Sequence, residues 1–237
     1  MNYGVILASG VGTRVKSIDT PKQFYEINGI PIFIYTLRRM LEGNLFDVIY
    51  LAIKEDYLDL VNNYLKKYID NNKKIRIVFG GKERIDTIHN VIDEISKNDI
   101  DDDDVIVIHD AVRPFVTDKI LSDSIHYARL YGATVAAVPA SDTMLISSDG
   151  ENVETIPKRS LLYKGQAPDS FKLKKIIELE SKLTDEQKRI ITGTSQICTM
   201  NDYPIRMIPG DEINFKITTD SDLLMAVRII ESIKEGS

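Results

Sequence analysis

Three clusters of polar residues in this chain have the makeup of a phosphate-handling site. In the first, the apolar run Val5-Ile6-Leu7 gives way to Ala8-Ser9-Gly10-Val11-Gly12-Thr13-Arg14, with Pro21-Lys22-Gln23 soon after. Gly10 and Gly12 can take φ > 0 and let backbone N–H groups approach an anion closely. Arg14 and Lys22 supply positive charge where a triphosphate would lie. The loop lacks both the Lys-Ser/Thr ending of a Walker A loop and the complete G-x-G-x-x-G of a dinucleotide site. The second cluster is Gly80-Gly81-Lys82-Glu83-Arg84, and the third is His109-Asp110-Ala111-Val112-Arg113-Pro114. Asp110 closes an apolar run, where a carboxylate is costly unless it is paired or meets a cation. A nucleoside triphosphate brings Mg²⁺, which one or two carboxylates plus phosphate oxygens commonly hold. Asp110 is therefore the candidate metal contact, the alternative being a cap on the turn that follows. His109 reads as a packed, hydrogen-bonded strand-end residue.

These clusters need a scaffold that brings them together. Strands are expected at Tyr3–Leu7, Val48–Ile53, Ile75–Phe79, Val105–Ile108 and Thr134–Val138. Between them, helical apolar spacing covers Ile32–Leu41, Tyr57–Ile69 and Arg84–Ser96, and a further helix runs from a Thr117 N-cap through Tyr131. Pro31 opens the first of these helices, and continuous apolar runs mark strands covered on both faces. Such alternation predicts a mostly parallel sheet with right-handed crossovers. Ligands then sit beyond the carboxyl ends of the strands, where all three clusters fall. Thr143–Ile156 breaks the rhythm and reads as a hairpin turning at Ser148-Asp149-Gly150. Two strands alone are marginal in water, so the hairpin needs support, for which an antiparallel edge of the same sheet would serve.

With 237 residues and a hydrophobic fraction of 43%, the chain can build one large core, and no linker, repeat or low-complexity tract divides it. One domain over residues 1–237 is expected. The net charge of −6 argues against a nucleic-acid partner and leaves a phosphorylated ligand to a local basic pocket. Cys198 is the one cysteine, which excludes an internal disulfide and a cysteine metal cluster; it reads as a small buried side chain. Asp99–Asp104 reads as a solvated loop. With no charged-then-apolar leader and no apolar run of membrane-spanning length, a cytoplasmic protein is expected.

The first loop resembles that of the sugar-phosphate nucleotidylyltransferases, and its Pro21-Lys22-Gln23 form is similar to the cytidylyltransferases that act on small alditol phosphates. Two sister families share that form, the 2-C-methyl-D-erythritol 4-phosphate cytidylyltransferases and the ribitol-5-phosphate cytidylyltransferases. His109–Pro114 matches their His-Asp-Ala-x-Arg-Pro signature without a gap. Gly80-Gly81 with Arg84 and Thr87 resembles their Gly-Gly-x-x-Arg-x-x-Ser/Thr segment, and Asn214–Thr219 resembles Asn-Ile-Lys-Ile-Thr-Thr. The resemblance implies a single α/β Rossmann-like domain with a mostly parallel sheet and helices on both faces. It also implies a protruding β-hairpin arm, about residues 141–158, that crosses to a second subunit of a homodimer.

By the same resemblance, CTP lies along Ala8, Ser9, Gly10, Gly12, Thr13 and Arg14, with the cytosine read by Gly80, Gly81, Arg84 and Thr87. Mg²⁺ and the triphosphate lie near Asp110. The alditol phosphate lies against Arg113, Arg159, Thr192 and Lys216, with Thr143 arriving from the partner subunit. Thr219 caps a last helix over Asp222–Lys234. Three positions depart from the pattern: Ala167 stands where the families carry Thr, Asp169 where they carry Gln, and Gly193 where they carry Asp.

The implied reaction transfers CMP from CTP to the alditol phosphate and releases pyrophosphate, with Arg14, Lys22 and Lys216 as its catalytic cations. Fine features around Thr87-Ile88, Val112, Phe115, Gly165–Phe171, Leu183-Thr184 and Gln196–Cys198 are more similar to the ribitol branch. Ribitol 5-phosphate, giving CDP-ribitol for a wall or capsule polymer, is the expected acceptor. 2-C-methyl-D-erythritol 4-phosphate of isoprenoid precursor synthesis is the alternative. A sugar-1-phosphate nucleotidylyltransferase fits the Pro-Lys-Gln and His-Asp-Ala-Val-Arg-Pro forms less well. From another class, a non-catalytic nucleotide-binding module would explain Ala167 and Gly193 as decay, although every required charged residue is present.

Overall fold

The computed structural model describes residues 1–10, 20–70 and 73–235. In chain order its first elements are β1 (Asn2–Leu7), β2 (Glu26–Ile27), β3 (Ile30–Pro31), α1 (Ile32–Glu42), β4 (Val48–Ile53), α2 (Leu58–Tyr68), β5 (Ile75–Phe79), α3 (Arg84–Ile95) and β6 (Val105–Asp110). They are followed by α4 (Asp118–Tyr131), β7 (Ala133–Pro139), β8 (Tyr163–Lys172), α5 (Leu173–Ser181), α6 (Asp185–Ile190), α7 (Gln196–Thr199), β9 (Arg206–Pro209) and α8 (Asp220–Glu235). Seven strands form one sheet in the order β5-β4-β1-β6-β8-β7-β9, and β2 and β3 form a separate ribbon. All pairings in the sheet are parallel except those of β8, which runs antiparallel to both β6 and β7.

Side-chain alternation explains why the central strands read as unbroken apolar runs. Ile6, Val105 and Val107 pack on one face with Phe33, Leu37, Val61 and Leu121 of α1, α2 and α4. Val5, Ile106 and Ile108 face the other way, against Ile88, Ile92 and Ile176 of α3 and α5. Each such side chain stabilises the fold by roughly 1.5–3 kcal/mol relative to exposure. A third cluster packs Leu223, Ala226 and Ile230 of α8 on Ile32, Val112, Phe115 and Ile217, beneath the loop that follows β6. The last helix begins at Asp220 rather than Asp222, and its end is closed as expected: Thr219 Oγ1 accepts the Asp222 N–H at 3.2 Å.

Two expectations need correction, and one strand was not expected. The segment read as a hairpin has one isolated bridge, Ile146 to Thr155, instead of two strands, and Thr143–Ile156 is exposed throughout. Its polar turn closes on side chains, with the Asp149 carboxylate accepting from the Glu151 and Asn152 N–H groups. The acidic run is solvated only in part: Asp104 is buried and accepts the Asp101 N–H at 3.1 Å. Finally, β8 lay hidden, because its buried run Gln166-Ala167-Pro168-Asp169-Ser170-Phe171 is half polar, with no alternation and an internal proline. No helix among the described residues is long and apolar enough to cross a membrane.

Candidate active site

Two adjoining cavities open beyond the carboxyl ends of the parallel strands. The larger, about 350 Å³, is lined by Ala8, Ser9 and Gly10 after β1, by Lys22, and by Gly81, Arg84 and Thr87 at the start of α3. The smaller, about 220 Å³, is lined by Arg113, Gln166, Ala167, Asp169, Thr192 and Gly193. Arg84, Asp110 and Lys216 line both and so form the wall between them.

The larger cavity is shaped by close backbone approach. A Cβ on Gly80 would come within 2.4 Å of Ser9 Cβ, and one on Gly81 within 2.2 Å of Asp86 Cβ. Glycine at 80 therefore lets the β5–α3 turn meet the first loop, and glycine at 81 lets the turn fold back on α3. Thr87 Oγ1 ties this junction: it accepts the Gly81 N–H at 3.0 Å and lies 3.3 Å from Ser9 Oγ. Gly10 serves differently from the expectation, because its φ is not left-handed and open space surrounds its Cβ position. Its missing side chain leaves room for a ligand to reach the backbone.

Gln23 anchors the same loop. Its amide nitrogen donates to the carbonyls of Ala8 and Gly10, each at 2.8 Å, so both carbonyls flanking Ser9 are held. Lys22, in the helical turn Lys22–Phe24, is thereby fixed at the cavity wall. Gly12, Thr13 and Arg14 lie outside the described residues.

Asp110 is the hub of the shared wall. Arg84 Nη1 meets its Oδ1 at 3.0 Å, Lys216 Nζ meets the same oxygen at 3.2 Å, and Arg113 Nε meets Oδ2 at 3.0 Å. Burial alone would raise this carboxyl, but the three cations outweigh it and hold Asp110 well below the usual carboxylate range. Burial pulls the Lys216 ammonium below its ordinary value against the attraction of Asp110. Neighbouring His109 is fully buried and held down to about 4 by that burial, with Nε2 3.1 Å from the Arg113 carbonyl. It is the packed strand-end residue that was expected.

Lys216 reaches the wall because its segment is bracketed on both sides. The Ile217 N–H donates to the Val112 carbonyl at 3.0 Å. Asn214 Nδ2 donates to the Ala167 carbonyl at 2.8 Å, while Arg113 Nη1 donates to the Asn214 carbonyl at 2.8 Å. Gln166 adds a further tie, donating to the Asp211 carbonyl at 2.8 Å and accepting its N–H at 3.2 Å.

On the far side of the smaller cavity, Gln196 Oε1 accepts from the N–H groups of Thr192 and Gly193 at 2.7 and 2.9 Å and from Thr192 Oγ1 at 3.0 Å. Asp169 is buried, in register with Ile108 on β6. Burial pushes its carboxyl up to about 6, opposed by Arg84 and reinforced by Asp110.

The expected residues thus divide. Ala8, Ser9, Gly10, Lys22, Gly81, Arg84, Thr87, Asp110, Arg113, Thr192 and Lys216 line one cavity or both, with Gly80 packed behind Ser9. Arg84 reaches the Asp110 carboxylate and Thr194 Oγ1, at 3.3 Å, so its guanidinium belongs to the wall. Thr143 and Arg159 line neither cavity; both are exposed, and Arg159 Nη1 donates to the Ser141 carbonyl at 3.3 Å. Gln23, Gln166, Gln196 and Asn214 were quoted within motifs without a role, and what they do depends on contacts far along the chain. Among the described residues no group of three His, Cys, Asp or Glu could hold a metal by itself. Both Asp110 oxygens already face Arg84, Lys216 and Arg113, so a cation at this wall would arrive on a triphosphate and take most of its ligands from phosphate oxygens.

Solved structures share this architecture. The chain is 27% identical to the Francisella tularensis 2-C-methyl-D-erythritol 4-phosphate cytidylyltransferase, with a TM-score of 0.78 over 95% of this chain and 97% of that one. It is 25% identical to the 4-diphosphocytidyl-2C-methyl-D-erythritol synthase from Anaerococcus prevotii, with a TM-score of 0.77 over 97% and 96%. At 19% identity the Thermus thermophilus 2-C-methyl-D-erythritol 4-phosphate cytidylyltransferase shares the fold, with a TM-score of 0.71 over 97% and 98%. The family model described as "IspD: 2-C-methyl-D-erythritol 4-phosphate cytidylyltransferase" matches residues 3–232, which takes in both cavities and their common wall, and the chain belongs to that cytidylyltransferase family.

Proposed function

We propose that the protein transfers CMP from CTP to the phosphate of a small alditol phosphate. The observation that carries this reading is the pair of cavities meeting at Arg84, Asp110 and Lys216, which suits two anions that must react with each other. The triphosphate would lie along Ser9 and Gly10 toward Lys22, and the acceptor phosphate toward Arg113 and Lys216. An oxygen of the acceptor phosphate attacks the α-phosphorus of CTP. The new oxygen–phosphorus bond forms as the α–β bridge breaks, and the electron pair leaves with pyrophosphate. Holding the two anions in line and offsetting the charge that grows on the α-phosphate is the protein's contribution. A divalent cation bound to the triphosphate near Asp110 would neutralise part of that charge.

The acceptor we assign first is 2-C-methyl-D-erythritol 4-phosphate, which the family description and the names of the Francisella and Anaerococcus proteins support better than the expected ribitol 5-phosphate. Ribitol 5-phosphate is the second reading. It is favoured by the sequence features of Gly165–Phe171 and Gln196–Cys198, whereas the departures at Ala167, Asp169 and Gly193, all three of which line the acceptor cavity, set this chain apart from both branches. Thr143 and Arg159 sit together on an arm exposing Met144, Leu145, Ile146, Val153 and Ile156. A second copy of the chain would cover that apolar surface and bring both residues to its site.

Pyrophosphate release from CTP and Mg²⁺ with each acceptor tests the reading. Release with 2-C-methyl-D-erythritol 4-phosphate alone supports the first assignment, and release with ribitol 5-phosphate alone supports the second. CTP binding without release on either would indicate a nucleotide-binding module.

A further inference from the structure

The acceptor cavity carries a charge that the transfer itself does not call for. Its lining holds Arg84, Arg113 and Lys216 around Asp110, and also a second carboxylate, Asp169, whose partner Thr194 is reached by Arg84 as well. Asp169 is only 6% exposed and yet lines the cavity. Its hydrogen-bond partner is the Thr194 hydroxyl, and among the described residues it has no ion-pair partner. An ionised carboxylate can accept about four hydrogen bonds, so acceptor capacity remains. A buried polar group with unmet capacity is costly until a donor arrives.

The neighbours sharpen what that donor is. Thr192 Oγ1 is engaged by Gln196, and Gly193 offers no side chain; a Cβ there would find nothing nearer than Ser195 Oγ at 3.8 Å. Asp169 is therefore the carboxylate of this cavity with acceptor capacity to spare, whereas Asp110 is held by three cations. A phosphate would be repelled by this carboxylate and drawn to Arg113 and Lys216, so a phosphorylated chain turns its other groups to Asp169. What reaches Asp169 is then the uncharged end of the ligand, and only O–H groups there can donate to it.

We propose that Asp169 is the specificity-determining residue of the acceptor cavity, accepting hydrogen bonds from the hydroxyls of a polyol phosphate whose phosphate points to Arg113 and Lys216. This rests on the assignment of the smaller cavity to the acceptor. A ligand lacking the hydroxyl that faces Asp169 leaves the carboxylate unsatisfied and binds less well.

The test uses the full chain saturated with a CTP analogue whose α–β bridge is a methylene group, titrated calorimetrically with ribitol 5-phosphate, 2-C-methyl-D-erythritol 4-phosphate and single-deoxy analogues of each. Asp169→Asn is expected to weaken the tighter acceptor at least tenfold while the analogue's own affinity stays within twofold. In the wild type, one deoxy analogue is expected to lose at least tenfold, and in Asp169→Asn the same analogue loses nothing further. Wild-type titrations with the deoxy series keep the proposal testable if the variant does not fold. Equal affinity for every deoxy analogue, no binding of either acceptor, or wild-type affinity in the variant would overturn it. Asp169-dependent binding together with no pyrophosphate release from CTP would sink the proposed reaction and leave the role of Asp169 standing.

Discussion

The two sides of the site are held by opposite means. On the nucleotide side, parallel strands end together and the loops close on one another because side chains are missing: Gly80 makes room for Ser9, and Gly81 for Asp86. On the acceptor side, antiparallel β8 crosses the sheet, and amide side chains do the joining: Gln166 and Asn214 bind the strand to the Lys216 segment, while Gln196 binds the Thr192 turn. The first arrangement tolerates almost no change at its contact points. The second is a polar network whose members can be exchanged for others of similar reach, which suits the half of a site that selects among acceptors.

Asp110 belongs to both sides, so Asp110→Asn should do most damage. Three cations would lose their common partner, and breaking a buried ion pair costs about 3–5 kcal/mol. Turnover should fall at least about a thousandfold, and the urea midpoint should drop sharply. The Asp110 carboxyl is held below its ordinary value, so its stabilisation is present above the unfolded pKa and lost as pH falls through that range. The gap between wild type and Asp110→Asn should therefore narrow in acid. If either ligand still bound the variant with wild-type affinity, the shared wall would be the wrong description.

Lys22→Ala should act on one side only. Turnover should fall by about 100-fold or more, with less than a tenfold rise in the CTP KM and no change in the acceptor KM. Unchanged turnover would remove Lys22 from the chemistry. Gly80→Ala introduces a carbon 2.4 Å from Ser9 Cβ and should cost about 1–3 kcal/mol of stability. Its functional effect should be a raised CTP KM; an equal rise for the acceptor would show that the two sides do not move independently.

The smallest effect concerns Cys198 on α7, next to the residues held by Gln196. Burial pushes its thiol up to about 12, so alkylation of the native protein at pH 8 should be slow and limited by local opening. Acceptor binding should slow it further and CTP should not. Equal protection by both would place α7 in a unit common to the two sides.

The nucleotide side was largely legible in the sequence. Ala8–Gly10, Gly80-Gly81 and His109–Pro114 follow apolar strands within a residue or two, and ligand loops lie at strand ends in parallel sheets. Less of the acceptor side was legible, because β8 carries neither alternation nor an apolar run, and its burial comes from lying between β6 and β7. The hairpin expected at Thr143–Ile156 shows the converse. Its residues have strand character, but they form a single bridge within the chain, as two strands with no third beside them are marginal in water.

By itself the sequence determined the alternating strands and helices, the loops at their ends and the charged residues those loops carry, since these depend on periodicity and on neighbours in the chain. Only the tertiary structure decided that Arg84, Arg113 and Lys216 share one carboxylate. Asp110 and Lys216 lie more than a hundred residues apart in sequence, and their meeting depends on the Asn214, Gln166 and Ile217 contacts that carry the later segment to the end of β6. The pairing of β8 with β6 and the hold of Gln196 on the Thr192 turn likewise bring Asp169 and Gly193, one position with a carboxylate and one without, to line the same cavity. Strand register and loop closure set that juxtaposition, and neither is written in local pattern.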